Sequence, residues 1–497
     1  MNCCRSVIFA LLACLLTSCG GGGTTSGGGS SNQTPDMGTL TPVDDSYQFT
    51  LANASTGMVL GIAAQAQTAG ADVAQEPSST TTPDIDWHFI PMNNSQYNIE
   101  NMLTHQVMGI SNASTAAGAQ VLQWADNGTN DHLWEFYLLK DGNYLLKNVS
   151  SALYLEEDDS SSASPAPVEQ GARATTGTGC ACQEWTVTST GNAPYPPPAT
   201  VNVSYVAPDT PAIGTHDPSI LNTGSGYDLF STGGSIHEHQ STDLINFSDG
   251  GYALSSLPAW TNAYTGSSGD LWAPDASSHN GVYWMYYAAS TFGSDNSAIG
   301  LAMSSTAEPG TFVDSGAPVY TSADCSGANA IDPASVVDAS GNAWMAFGSY
   351  FSGIQIVPVN NSTGIPTGAA CQTLAYHPSG TGIEGSYIYP YNGYYYLFAS
   401  VDTCCQGVTS TYRIIVGRAT SITGPYSDRG GLALTDGGGT ILLSAHGNVN
   451  GPGGETVFTD SSGAVLVYHY YDGNNNGDPA LGINSLGWTS DGWPYVE

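Results

Sequence analysis

At 497 residues the chain exceeds one ordinary domain and makes two domains plus processing segments the expectation. Only seven Lys and Arg stand against 42 Asp and Glu, a net charge of −35. That balance excludes nucleic acid and anionic lipid surfaces as partners, because no basic patch is available to neutralise phosphates; the acidity itself reads as solubility or as adaptation to salt or an acidic medium.

In chain order, Arg5 precedes an apolar run from Val7 to Leu16 that is too short to span a bilayer and fits a secretory signal. Leu16-Thr17-Ser18-Cys19 resembles the lipobox of bacterial lipoproteins. The resemblance implies that Cys19 carries lipid and that the protein is exported to the outer membrane or cell surface, with membrane contact through the anchor only; an ordinary signal peptidase site is the alternative. Residues 1–19 are thus the expected signal, and 20–41, rich in Gly, Ser and Thr, an expected flexible tether. Six cysteines remain beyond Cys3, Cys4, Cys14 and Cys19, an even number that permits disulfides. Cys180 with Cys182, Cys325 with Cys371, and Cys404 with Cys405 are open pairings, and their spacings do not suit a zinc site.

Residues 42–190 carry a threefold repeat with a period of roughly 50 residues. Tyr47, Tyr97 and Tyr144 open the units, Val59-Leu60-Gly61, Val107-Met108-Gly109 and Leu153-Tyr154-Leu155 follow, then Val73, Val121 and Val168, and Trp87, Trp134 and Trp185 close them. Three strand-rich units of this length predict a β-trefoil with the Trp residues in its shared core. With Gln183-Glu184-Trp185, the segment resembles ricin-type lectin modules. The resemblance implies sugar binding, although Gly61 and Gly109 stand where such modules place a carboxylate and only Glu156 keeps one. Gln123-Trp124-Ala125-Asp126-Asn127 is a second candidate sugar face, and a spacer or docking role is the alternative. Residues 191–200, with Pro194, Pro196, Pro197 and Pro198, read as a stiff linker.

Residues 201–497 repeat one plan five times: His216-Asp217-Pro218-Ser219-Ile220, Trp272-Ala273-Pro274-Asp275-Ala276, Ile331-Asp332-Pro333-Ala334-Ser335, Ile383-Glu384-Gly385-Ser386-Tyr387 and Gly451-Pro452-Gly453-Gly454-Glu455. Each precedes an aromatic-rich strand by about ten residues, a pattern that predicts a five-bladed β-propeller. The fold class is therefore all-β, a propeller preceded by a trefoil. Asp217, Asp332 and Glu384 fall at matching places in the repeat and are expected to converge on the axis. Hydrolysis of a glycosidic bond needs a carboxylate to activate water and a carboxylic acid to protonate the leaving oxygen.

His-Asp-Pro-Ser-Ile at 216–220, Trp-Ala-Pro-Asp at 272–275, Asn329-Ala330-Ile331-Asp332-Pro333, Phe347-Gly348-Ser349-Tyr350, Cys404-Cys405-Gln406-Gly407 and Asp491-Gly492-Trp493-Pro494 together resemble glycoside hydrolase family 43, within it the arabinan endo-1,5-α-L-arabinosidases. The resemblance implies Asp217 as general base, Glu384 as general acid and Asp332 as the ionised residue that raises the acid's pKa, with no cofactor for the chemistry. Trp272 and Phe292 are expected stacking surfaces for a furanose ring, and Asn329 and Ser349 expected partners of sugar hydroxyls; Arg418 is read as a partner of an axial carboxylate. Relatives often hold calcium near the axis. Their histidine at the fifth blade is replaced here by Gly454, which leaves His446 and His469 as candidate metal neighbours and core histidine as the alternative for each. The expected substrate is arabinan and the expected state a monomer. An exo-acting arabinofuranosidase or β-xylosidase, and a non-catalytic sugar-binding surface lipoprotein, are the rival readings.

Overall fold

The computed structural model describes residues 34–157, 164–175, 179–205, 214–266, 269–378 and 381–497. The expected signal, Cys19 and most of the tether lie outside the described residues. Among the described residues no helix is long and apolar enough to cross a membrane.

The first body is the trefoil, and its threefold logic is visible in the register. Phe49 pairs with Trp87, Tyr97 with Trp134 and Tyr144 with Trp185. The residue that opens the first unit is therefore Phe49, which begins the strand and is buried, whereas Tyr47 precedes the strand and is exposed. All three tryptophans are fully buried, and each indole N–H donates to a backbone carbonyl of its own unit, those of Leu60, Met108 and Leu155, at 3.0 to 3.1 Å. An aromatic ring of this size supplies most of a core, and its polar edge is satisfied at no cost. The expected tether ends earlier than residue 41: Arg173 donates to the Asp36 carbonyl, and Thr39–Leu40 pairs with Trp134–Leu138.

The second body is the five-bladed propeller. Blade 1 runs Ser219–Asn222, Tyr227–Ser231, His237–Ser241 and Asn246–Tyr252; blade 2 runs Trp272–His279, Val282–Ala289, Ala298–Ser304 and Val313–Asp314. Blade 3 comprises Ala334–Val337, Ala343–Phe347, Ile354–Pro358 and Gln372–Ala375, and blade 4 Ile383–Tyr391, Tyr394–Val401, Arg413–Ala419 and Thr440–Leu443. Blade 5 is Val449–Asp460, Gly463–Asp472, Asp478–Trp488 and Pro494–Val496. Each is an antiparallel meander whose first strand is innermost, and the aromatic runs form the second strands.

Polar links join successive blades at the axis. Ser219 Oγ accepts from Ala276 N (3.0 Å), Asp275 from both the N–H and hydroxyl of Ser335 (2.7 Å each), and Asp332 from Gly385 N (3.1 Å). Ser400 Oγ accepts from Gly454 N (2.9 Å), and Thr456 closes the ring by donating to the Pro218 carbonyl (3.0 Å).

The proline-rich linker is docked along its length. Tyr195 donates to both carboxylate oxygens of Glu100 in the trefoil at 2.7 and 2.9 Å, while Ala199 N and the Pro197 carbonyl bond blade 5. All three open cysteine pairings are formed: Cys180–Cys182, Cys325–Cys371 and Cys404–Cys405.

Candidate active site

At or near the start of each inner strand stands a residue of positive φ: Asp217 (49°), Ala273 (44°), Asp332 (53°), Gly385 (60°) and Gly454 (59°), with a second, Gly451 (51°), in the fifth. Left-handed backbone strains a residue with a β-carbon, so two glycines here are no surprise, and Asp is among the side chains that tolerate it best. In blades 2, 4 and 5 a break in strand register accompanies the turn, the mark of a bulge that re-aims side chains. This corrects the alignment drawn from sequence: Glu384 lies one residue before the position shared by Asp217 and Asp332, level with Trp272 instead. A bulge shifts side-chain direction without disturbing the repeat length, which is why the offset does not register in the motif spacing.

The five turns enclose one pocket on the axis, lined among others by Asp217, Asp275, Asp332, Gly385, Gly454 and Glu455. Asp217 Oδ2 accepts from the Thr232 hydroxyl at 2.6 Å, and Thr232 is held in turn by Ala273 N. Glu384 Oε2 accepts from Ser349 at 2.6 Å and Oε1 from the Tyr412 hydroxyl at 2.9 Å. Burial, then the charge of Asp217, raises the Glu384 pKa, while the two hydroxyl donors oppose the rise. Asp332 is raised well above the usual range, by burial first and then by Glu384 and Asp217, with one backbone donor from Gly385 working against it. Burial and mutual repulsion thus push both acids toward the protonated form, so Asp332 and Glu384 retain a proton between them.

Loops after the second strand of each blade lie at the same end of the ring as this pocket, because the hairpins are antiparallel. Phe292 sits on such a loop, 82 % exposed, and Trp272 is half-buried at the head of blade 2. Asn329 is buried with its Oδ1 lacking a partner, and Ser349 is engaged by Glu384. The two candidate metal neighbours are separated. His469 stacks on His216 at 4.3 Å and accepts the Asp217 N–H at Nδ1. His446 instead bonds the Ser444 carbonyl, packs on Tyr195 toward the trefoil and is pulled down to a pKa of about 4 by burial, as a core histidine is.

Among the described residues, His216, Asp217 and His469 form one group with metal-ligand spacing. A side chain at Gly454 would stand 2.7 Å from both Asp217 Oδ1 and His469 Nδ1, so this imidazole occupies the space that a residue at 454 would fill. Two imidazoles and one carboxylate offer few oxygen ligands, so a calcium ion held here would take most of its oxygens from water. Arg418 is also displaced from its expected place: it lies over the rings of Tyr394 and Trp493 and donates to the Asp491 carbonyl.

Three participants escape the motif reading. Tyr412 and Thr232 come from segments outside the five motifs, and nothing in their immediate sequence announces a partner. Glu455 ends the fifth motif, is buried, and accepts from Ser400 at 2.6 Å; burial pushes it up to about 8.

An axial pocket lined by a hydroxyl-bonded Asp217 and a buried Asp332, with the raised acid Glu384 interacting with both, has the carboxyl groups a glycosidase site needs. The sequence model of the glycosyl hydrolases family 43 matches residues 211–494, and the chain belongs to that family. A model described as ricin-type beta-trefoil lectin domain-like matches residues 39–124. The extracellular endo-α-(1→5)-L-arabinanase 1 of Bacillus subtilis is 42 % identical over 286 residues, 56 % of this chain and 86 % of that protein. Among solved structures, the GH43 endo-arabinanase of Bacillus licheniformis aligns with a TM-score of 0.54 and 40 % identity over 60 % of this chain and 99 % of that one. The Cellvibrio cellulosa α-L-arabinanase complexed with arabinohexaose aligns at 0.54 and 34 %, over 57 % and 95 %.

The coupled pair makes a prediction with a definite sign. Replacing Asp332 by Asn removes the second charge that would form when the pair gives up its retained proton, so Asp332→Asn is expected to move the alkaline limb of the pH–rate profile downward. A limb that stays in place while activity merely scales would remove Asp332 from this role.

Proposed function

We propose that the protein is an inverting glycoside hydrolase that cleaves internal α-1,5-L-arabinofuranosidic bonds of arabinan. The observation that carries this reading is the axial pocket lined by Asp217 and Asp332, with Glu384 close enough for its charge to bear on both, on a chain whose relatives are named endo-arabinanases. Asp217 is the general base: one oxygen is fixed by Thr232, leaving the other to take a proton from water as that water attacks the anomeric carbon. Glu384 is the general acid and delivers its proton to the departing O5 oxygen. Asp332 keeps the acid protonated. Trp272 and Phe292 offer faces to the arabinose rings, and Asn329 a buried carbonyl oxygen to a sugar hydroxyl. Asp217→Asn and Glu384→Gln are each expected to lower turnover on linear arabinan by at least about 10²-fold while the protein stays folded. Proton NMR of the first products is expected to show the anomeric configuration inverted; retention, or near-normal activity in either variant, rejects the assignment.

The trefoil's sugar-binding reading moves to its first unit. There Asp84, buried, fills the space beside Gly61 where a side chain would stand, and its Oδ1 and the Thr82 hydroxyl lack partners at the wall of a cleft of about 260 Å³. In an inactive Glu384→Gln background, Asp84→Ala is expected to abolish retardation of the protein in gels containing soluble arabinan. Equal retardation with and without Asp84 assigns binding elsewhere.

For the address of the protein, Leu16-Thr17-Ser18-Cys19 and the segment after it support a lipid-anchored, exported form. Cys19→Ala is expected to abolish fatty-acid labelling and release the enzyme in active form. Unchanged membrane partition in that variant would transfer the anchoring role to the apolar segment upstream.

A further inference from the structure

Both hydroxyls on Glu384 are tethered to one buried cation. Arg413, 1 % exposed, directly follows Tyr412 in the chain. Its Nη2 pairs with Asp402 at 2.7 Å and with Asp126 of the trefoil, and its Nη1 donates to Asn98 of the trefoil at 3.1 Å. Asp402 is itself bound to the site, because its carbonyl accepts from the Tyr350 hydroxyl at 3.1 Å and its N–H donates to the Gly382 carbonyl. Tyr350 adjoins Ser349, the second donor to Glu384. From one guanidinium, then, two short routes lead to the same carboxyl group: through Tyr412, and through Asp402 and Tyr350 to Ser349.

The trefoil side of this junction is equally fixed. Asp126 also accepts from His132 Nδ1 at 3.0 Å, and Asn98 donates to the His132 carbonyl. The second repeat unit therefore receives a propeller arginine where the sequence suggested a sugar. Arginine keeps its charge at any working pH, so burying it demands anionic or carbonyl partners in fixed positions, and a planar guanidinium transmits their geometry.

We propose that the trefoil is a positioning element of the catalytic site, holding Arg413 through Asp126 and Asn98 so that Tyr412 and Ser349 present the Glu384 carboxyl to the leaving oxygen. The inference rests on Glu384 acting as the general acid. Asp126 and Asn98 touch no substrate; they act through Arg413.

An acid held out of place slows only reactions that need its proton. The test compares full-length Asp126→Asn and Asn98→Ala with wild type on two substrates: linear arabinan, and 4-nitrophenyl α-1,5-L-arabinotrioside, whose nitrophenolate departs without protonation. The expected result for Asp126→Asn is a fall in kcat on arabinan of about tenfold, with KM unchanged and the nitrophenyl rate kept within about twofold of wild type. Asn98→Ala, which leaves both carboxylates on Arg413, is expected to show the same selectivity at smaller size, and it decides the matter if Asp126→Asn does not fold. Equal losses on both substrates, or no loss on either in folded protein, overturn the proposal while leaving the functional reading intact. A wild type inert toward both substrates overturns the two together.

Discussion

The axis of the propeller is the constraint on which everything else depends. Five inner strands must start side by side around a narrow opening, and each does so through a left-handed residue that turns the chain sharply into the strand. The backbone N–H groups exposed by these turns need acceptors, since an unpaired buried donor costs roughly 1–3 kcal/mol. Side chains of the preceding blade supply them: Ser219, Asp275, Asp332 and Ser400. Asp332 is thus at once a link between blades 3 and 4 and a member of the acidic cluster proposed to carry catalysis. The closure of the ring and the chemistry at its centre use the same atom pairs.

A consequence is a buried cluster of acids at the centre. Asp275, Asp332, Glu384 and Glu455 are all raised, with burial the first cause in each. The nearest arginine in sequence to the site, Arg413, is already committed to Asp402 and Asp126. With so few basic residues in the chain, such carboxyls lower their energy by keeping protons or by accepting hydrogen bonds from backbone N–H groups and hydroxyls. The hydroxyls of Thr232, Ser349, Tyr412 and Ser400 play the second part. Retained protons are what an acid catalyst near neutral pH needs, so scarcity of basic residues, which elsewhere only affects solubility, shapes the site.

What the sequence makes legible follows from repetition. The blades and trefoil units declare themselves because each copy meets the same packing demand, so aromatic and apolar residues recur at matched intervals. The Asp217, Asp332 and Glu384 cluster is readable for the same reason. Features that break the repeat are not. Glu384 stands one residue ahead of its supposed equivalents because a bulge changes direction without changing spacing, and Tyr47 mimics the periodicity that Phe49 obeys in space. Tyr412 and Thr232 reach the site from non-repeating segments, and Asp126, placed in an apparent sugar motif, turns out to face a propeller arginine nearly 290 residues away. His446 and His469 look alike in sequence; only the fold sets one beside Asp217 and the other against Tyr195.

The junction between the two bodies differs in kind from a flexible attachment. Removing one partner of a buried ion pair typically costs about 3–5 kcal/mol, because the remaining charge stays buried, so the Arg413–Asp126 pair strongly resists loss of either member while the two bodies are docked. The linker reinforces this, since Tyr195 delivers its hydroxyl to Glu100, which His88 and His105 hold down to about 2 despite its burial. Two separate polar anchors, one beside the active site and one in the linker, fix the trefoil in orientation as well as in contact. A module held that way presents its first-unit cleft at a constant angle to the axial pocket.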